Sequence, residues 1–316
     1  MSIFHLSVKS ISRSTGRSAV AAAAYRAGER LTNHRDGLTH DFTGKPVVEA
    51  IILAPKDAPH WAYDRALLWN EVEASERRKD AKVAREYEIA LPSEIDADER
   101  RELTLAFADH LVTRYGVAVD VAIHPPNAEG DQRNHHAHLL STTRTIGVDG
   151  FGTKTRQLDV SSTASVEVEH LRKTWADMVN RALERARVPQ VIDHRSFERQ
   201  GIQAEPTIKL GPIATAIERR ATMTRDGDTP SGPITDRGRS NHLIQNMRRL
   251  SGFIDQARVR LRREVETLKQ SAKTAYRTPH EIIERALKLA TRDGAVGRSN
   301  SADKHRPSHQ RERGGR

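Results

Sequence analysis

Apolar and polar residues alternate at the start of the chain. Phe4, Leu6 and Val8 fall on one side and Ile3, His5, Ser7 and Lys9 on the other, which predicts a half-buried strand over 2–9. A polar basic loop, Ser12 to Arg17, follows. Ser18 then stands where an N-cap would open an alanine-rich helix running to about Arg30, with Tyr25 near its middle. Thr39–Phe42 and Val47–Leu53, joined by Thr43-Gly44-Lys45-Pro46, have the pattern of a hairpin. Asp64 opens a charged helix expected to reach Lys82, and Arg85–Leu91 is a strand stopped by Pro92. A helix from Ala97 closes at Gly116. Strands at Val117–His124 and His136–Thr143 are joined by a loop rich in Pro, Asn, Gly and Asp, and a helix covers about Val166 to Arg187. The expected fold is therefore α+β, an antiparallel sheet with helices packed on it.

Beyond Gly211-Pro212 the pattern changes. The expected organisation is a domain over 1–215, a linker over 216–240, a basic helical extension over 241–290 and a disordered basic tail over 291–316. Within the extension Leu243, Met247, Leu250, Ile254, Ala257, Leu261, Val265 and Leu268 recur at steps of three and four, one apolar stripe on a basic helix. This suits either a short coiled-coil seam or packing against a larger domain. Thr278-Pro279-His280-Glu281 resembles a capping box opening a last helix.

Composition narrows the function. The 316 residues carry 52 Lys and Arg against 42 Asp and Glu, a formal charge of +10 that suits a polyanionic partner such as nucleic acid. There is no cysteine, so disulfides, thiolate metal sites and cysteine nucleophiles are excluded. No apolar run approaches the ~20 residues that span a bilayer, and MSIFHLSVKS lacks the features of a signal peptide. A cytoplasmic protein without membrane insertion is expected.

The histidines carry the clearest chemistry. His136 and His138 lie two apart on a strand and so share a face. His124 ends the neighbouring strand across a hairpin, on the small and polar face with Ala118, Asp120 and Ala122. Three imidazoles can then converge on one divalent metal. His135, in the opposite phase, should point away. Glu86 and Glu88 repeat the two-apart pattern; a carboxylate there can orient a histidine, ligate the metal or accept a proton, and the sequence does not divide those roles. Tyr25 lies among Ala21–Ala24 and Ala27, small neighbours that would let a nucleic-acid backbone approach, with Arg13, Arg17 and Arg26 available for phosphates. Taken alone, it suits a core or cap residue as well as a nucleophile.

Residues 1–212 resemble the MobA/MobL family of plasmid mobilisation relaxases, within the HUH endonuclease class. The resemblance rests on ordered blocks: 3–30, AREYEIALP (84–92), VAIH (121–124), NHHAHLL (134–140), TWADMVNRALERA (174–186), VIDHRSFERQGI (191–202) and KLGP (209–212). Where the family has Asn-Pro-His-x-His, this chain has Asn134-His135-His136-Ala137-His138. The resemblance implies a site- and strand-specific nick by Tyr25 at a plasmid origin of transfer, through a 5′-phosphotyrosine. It further implies Mg²⁺ or Mn²⁺ on the three histidines, and single-stranded or hairpin origin DNA as partner, contacted in part by His194 and Arg195. Relaxosome accessory proteins and a type IV secretion coupling protein are further implied partners. A rolling-circle replication initiator of the same class is the nearest alternative, although such initiators often carry a second tyrosine one turn on, where this chain has Glu29 and Thr32. A non-catalytic plasmid DNA-binding protein and a zinc-dependent hydrolase are the others.

Overall fold

A computed structural model describes residues 4–128, 131–223, 232–275 and 279–294. In chain order these form β1 (Leu6–Ser12), α1 (Ala19–Ala27), β2 (Arg30–Thr32), β3 (Thr39–Asp41), β4 (Glu49–Leu53), α2 (Arg65–Ser75), β5 (Lys82–Ala90) and α3 (Ala97–Tyr115). There follow β6 (Val119–His124), β7 (His136–Thr142), β8 (Arg144–Gly147), β9 (Gly150–Lys154), α4 (Ser161–Arg185), α5 (Gly211–Met223), α6 (Asp236–Ala275) and α7 (Pro279–Gly294). The chain divides into two compact units, Met1–Ser196 and Phe197–Arg316.

In the first unit five strands form one sheet in the order β1-β5-β7-β6-β4, antiparallel throughout. Alternation sends the two faces of each strand into different cores. Tyr87 and Ile89 of β5, Val119, Val121 and Ile123 of β6 and Leu139 of β7 meet α3 and α4 through Phe107, Leu171 and Trp175. Ile11, Ala84, Ala118 and Leu140, from the other face, meet α1 and α2 through Val20, Ala23, Leu68 and Trp69. The α+β expectation therefore holds, with helices on both faces.

The helix ends follow the sequence signals. Ser18 accepts from the Ala21 amide to cap α1, and Asp96 accepts from the Glu99 amide to cap α3. Glycines with φ of +67° at Gly28 and +64° at Gly116 close them. Gly28 ends α1 before the expected Arg30. Asp64 caps α2 as expected, but that helix stops at Ser75, and Lys82 already belongs to β5. The expected hairpin of Thr39–Phe42 with Val47–Leu53 does not form. The turn is present, with the Lys45 amide donating to Phe42 O (2.9 Å), yet β3 pairs with β2 and β4 pairs with β6. Hydrophobic alternation marks a strand without naming its partner, and the apolar β4 finds a deeper site beside β6 than beside the exposed β3.

The second unit is helical. Glu218 of α5 accepts from the Ile234 and Thr235 amides, and Asn241 of α6 bonds both main-chain groups of Ile208. Much of the expected linker is helical, since α5 reaches Met223 and α6 begins at Asp236; residues 224–231 lie outside the described set. The stripe from Leu243 to Leu268 lies on α6, where Leu243, Met247, Leu250, Ile254, Leu261, Val265 and Leu268 are exposed. Pro279 opens α7 as expected, whereas Thr278 and the tail from 295 onward lie outside the described residues.

Candidate active site

Antiparallel register brings the chemistry together. Across the sheet His124 pairs with His136 and Ala122 with His138, while His138 pairs on its other side with Glu88. The ring centroids of His124, His136 and His138 are 5.1 to 5.4 Å apart. Three imidazoles sharing one ion at a metal–nitrogen distance of about 2.1 Å stand at about this spacing.

Hydrogen bonds then decide which nitrogen of each ring is free. His138 Nδ1 donates to Glu86 Oε1 (2.8 Å), His136 Nδ1 to Asn134 O (3.0 Å) and His124 Nε2 to Arg26 O (2.8 Å). These acceptors have no proton to give, so the lone pairs lie on His138 Nε2, His136 Nε2 and His124 Nδ1. Burial pushes the His124 imidazolium down to about 3, aided by Lys45 and the other two histidines, and burial lowers His136 as well. Three imidazoles at this spacing, each with one ring nitrogen turned to a hydrogen-bond acceptor, are a donor set that fits a divalent metal. Among the described residues no group is already set with its ligating atoms around one point. His135 is not part of the trio: its carbonyl accepts from the Leu91 amide and its ring is influenced by Arg100.

Glu86 and Glu88 share a face as expected but have different surroundings. Glu86 is buried; Arg26 Nη2 lies 2.6 Å and Arg26 Nε 2.7 Å from the oxygen that also receives His138. Burial alone would raise this carboxyl, but the His138 hydrogen bond and the Arg26 guanidinium outweigh it and hold it at about 2. Glu88 is half-buried at the rim. There burial opposes, and the 2.6 Å ion pair with Lys9 overcomes, so that its pKa also lies below the ordinary value.

Tyr25 lies on α1 and is 48% exposed. Lys45 Nζ lies 3.6 Å from its ring centroid and donates to Tyr25 O (3.0 Å), while Phe42 meets the ring edge-on at 5.2 Å. The neighbouring Ala22, Ala23 and Ala24 are buried. Their small size serves close packing of α1 on the sheet, not the approach of a nucleic-acid backbone expected from the sequence.

Two of the basic residues assigned to phosphate contact, Arg26 and Arg13, require correction, whereas Arg195 is exposed. Arg26 is buried: its side chain clamps Glu86 and its carbonyl orients His124, so it braces two of the three histidines. Arg13 has a side chain only 5% exposed, bonded to the Glu73 carboxylate and to the main-chain oxygens of Glu73 and Glu76. Glu73 also accepts from the Ala19 amide, so this pair pins the start of α1 to α2. Arg195 is committed to Asp193 at 2.6 Å. His194 lies 3.2 Å from Glu169 and edge-on to Phe4, in a segment fixed by the reciprocal bonds between Asn180 and the Ile192 main chain. Arg17 alone of the three arginines near Tyr25 is exposed.

Lys45 was not recognised in the sequence. Its turn has no local mark of chemistry, and only the separate paths of β3 and β4 bring it over Tyr25. Arg26 was noticed for its charge, but its function depends on a partner 60 residues away.

An antiparallel sheet thus bears a histidine trio on the face toward α1, and α1 carries an exposed tyrosine. Residues 17–220 match the model of the MobA/MobL family, and the chain belongs to that family. It is 42% identical over 247 residues to the mobilization protein MobL of Acidithiobacillus ferridurans, covering 70% of this chain and 65% of that protein. It is 34% identical over 251 residues to the conjugal transfer protein TraA of Rhizobium radiobacter, covering 70% of this chain and 22% of that one. The chain thus spans less than two thirds of the length of either relative. A solved structure from work on the molecular basis of vancomycin resistance transfer in Staphylococcus aureus is 31% identical, with a TM-score of 0.56 over 62% of this chain and 100% of its own. No helix among the described residues is long and apolar enough to cross a membrane.

Proposed function

We propose that this protein is a site- and strand-specific DNA relaxase that nicks an origin of transfer for plasmid mobilisation, with Tyr25 as nucleophile. The observation that carries the reading is the junction at the end of α1. Tyr25 is exposed there, and the next residue, Arg26, braces both His124 and the Glu86–His138 pair. A tyrosine in that place stands beside a metal-binding trio on a rigid helix, open to a strand of DNA.

In the reaction the Tyr25 Oη–phosphorus bond forms as the phosphorus–O3′ bond breaks. The phenol proton leaves to solvent and the departing 3′-oxygen takes one up, leaving a 5′-phosphotyrosine and a free 3′-hydroxyl. His124, His136 and His138 would hold a divalent ion, Mg²⁺ or Mn²⁺, which when bound would supply Lewis-acid polarisation of the scissile phosphate. Glu86, held at about 2, is too weak a base to take the phenol proton at neutral pH; its role is to fix the His138 tautomer. Glu88, paired with Lys9, adds negative charge at the rim facing the histidines. Because the covalent link conserves the phosphodiester energy, rejoining needs no nucleotide cofactor. Single-stranded or hairpin DNA is the partner, held by a net positive surface that includes Arg17. The protein works in the cytoplasm.

The test is incubation with a single-stranded oligonucleotide carrying the cognate origin, with and without Mn²⁺, followed by a denaturing gel. The expected product is a denaturant-stable protein–DNA adduct that is lost in Tyr25→Phe and on chelation. Cleavage that persists in Tyr25→Phe sinks the proposal.

A further inference from the structure

Lys45 lies over the face of the Tyr25 ring, a position the sequence pattern does not reveal. The structure devotes several contacts to keeping it there. The turn that carries it is closed by the Lys45 amide on Phe42 O (2.9 Å). It is tied at one end to the chain just past the α1 cap by the Phe42 amide on Glu29 O (3.2 Å), and at the other to β6 by the Val48 amide on Ile123 O (2.9 Å). Gly28 makes room for it. A Cβ at that position would stand 3.0 Å from Lys45 O and 2.9 Å from Val47 Cγ2, and the residue already has a left-handed φ of +67°. The turn therefore lies flush on the C-terminal end of α1 because Gly28 has no side chain there.

From this seat the turn holds the tyrosine on two sides. Lys45 Nζ lies over the ring face at 3.6 Å and bonds Tyr25 O at 3.0 Å, and Phe42 closes the ring edge at an interplanar angle of 89°. The residue as a whole stays 48% exposed. An ammonium over an aromatic face is attracted by its quadrupole, and the attraction rises when the ring takes on negative charge. The same contact that fixes the phenol ring therefore favours the charge that builds on it as it becomes a nucleophile. Lys45 also sits next to the Arg26–Glu86 pair, whose charges both act on it. The seat is thus continuous with the brace of the histidine trio.

We infer that Lys45 is the positioning residue of the nucleophile: it holds the Tyr25 ring in one orientation and stabilises negative charge on it during transesterification. The inference rests on the reading of Tyr25 as the nucleophile.

The test uses the full chain with Lys45→Met, which keeps the length of the side chain, and Lys45→Arg, which keeps the cation. Single-turnover adduct formation is measured at saturating oligonucleotide, with oligonucleotide affinity measured separately by anisotropy. Lys45→Met is expected to slow adduct formation by roughly tenfold or more, with affinity changed less than about threefold, and Lys45→Arg to recover most of the rate. A Lys45→Met protein that reacts at the wild-type rate overturns the inference. So does a defect confined to affinity, which would make Lys45 a phosphate contact, or an equal loss in Lys45→Arg, which would make its role one of packing. A second readout is independent of activity and of the Lys45 variants. In NMR spectra of lysine-labelled wild-type protein, the Lys45 ε-methylene resonances should be displaced by the Tyr25 ring current and return to ordinary positions in Tyr25→Leu. Undisplaced resonances also overturn the inference. Should the wild type form no adduct at all, the relaxase reading fails while the Lys45 contact is still judged on these resonances.

Discussion

Glu86 and Arg26 show how far a single side chain's surroundings decide its role. Both are buried, and each meets the other's charge. Replacing Glu86 by Gln leaves an acceptor for His138 but strips the charge from Arg26, so a buried guanidinium loses its counterion. The expected cost is about 3–5 kcal/mol of stability by urea unfolding and a fall of roughly 10- to 100-fold in Mn²⁺ affinity by calorimetry; unchanged Mn²⁺ affinity would remove Glu86 from the site. The arginines divide in the same manner. Arg17→Ala should reduce the slope of log affinity for DNA against log salt by about one while leaving stability intact. Arg13→Ala, which leaves the buried Glu73 carboxylate with only the longer 3.5 Å contact to Arg35 as a charge partner, should cost about 3 kcal/mol. The parity of His136, His138, Glu86 and Glu88 was legible in the sequence, since alternation on a strand fixes the face. Whether an arginine is exposed or buried was not, because that depends on Glu73 and Glu86, far along the chain.

At the level of elements, the local signals held where they were chemical and failed where a partner had to be chosen. Ser18 and Asp64 cap the helices they were expected to open, and Gly116 ends α3 as expected. The hairpin expected over 39–53 divided between two sheets, because a turn motif sets the local reversal and not the strand that each arm joins. That division is what places Lys45 and Phe42 on Tyr25. Gly28 is the point at which it can be broken. Gly28→Ala forces a side chain into left-handed geometry at about 1–2 kcal/mol, with the contacts to Val47 and Lys45 O in addition. Its melting temperature should fall and adduct formation should slow beyond what the loss of stability explains. A Gly28→Ala protein with the wild-type rate would show that the seat of the turn does not matter to the chemistry.

Over the whole first unit, one sheet separates support from chemistry. The face toward α3 and α4 is apolar, and the face toward α1 carries the histidines and glutamates. Tyr87 lies on the apolar face, 1% exposed, and burial pushes its phenol up to about 12 from an ordinary value of 10.0. A raised acid favours the protonated, folded form. Its contribution is complete below pH 10 and lost as pH climbs toward 12. Unfolding measured across that window should therefore decline more steeply for the wild type than for Tyr87→Phe. Parallel curves would show that Tyr87 keeps its ordinary ionisation in the folded protein. Mn²⁺ affinity at neutral pH should be the same in both, since Tyr87 faces away from the trio.

The brace at Arg26 has one more consequence. Tyr25 and Arg26 are joined by a peptide bond, and Arg26 is fastened to two of the three histidines. The spacing between Tyr25 and the histidines is thus built like a gauge, its backbone part set within a single turn of helix. In the proposed reaction the gauge that measures the cut is the same one that measures the repair. A severed strand, still bound to the tyrosine, would wait at the distance from which it can be closed. Moving the tyrosine even one position along α1 would put it on another side of the helix and lose that measure, which no adjustment of the DNA-binding surface could restore.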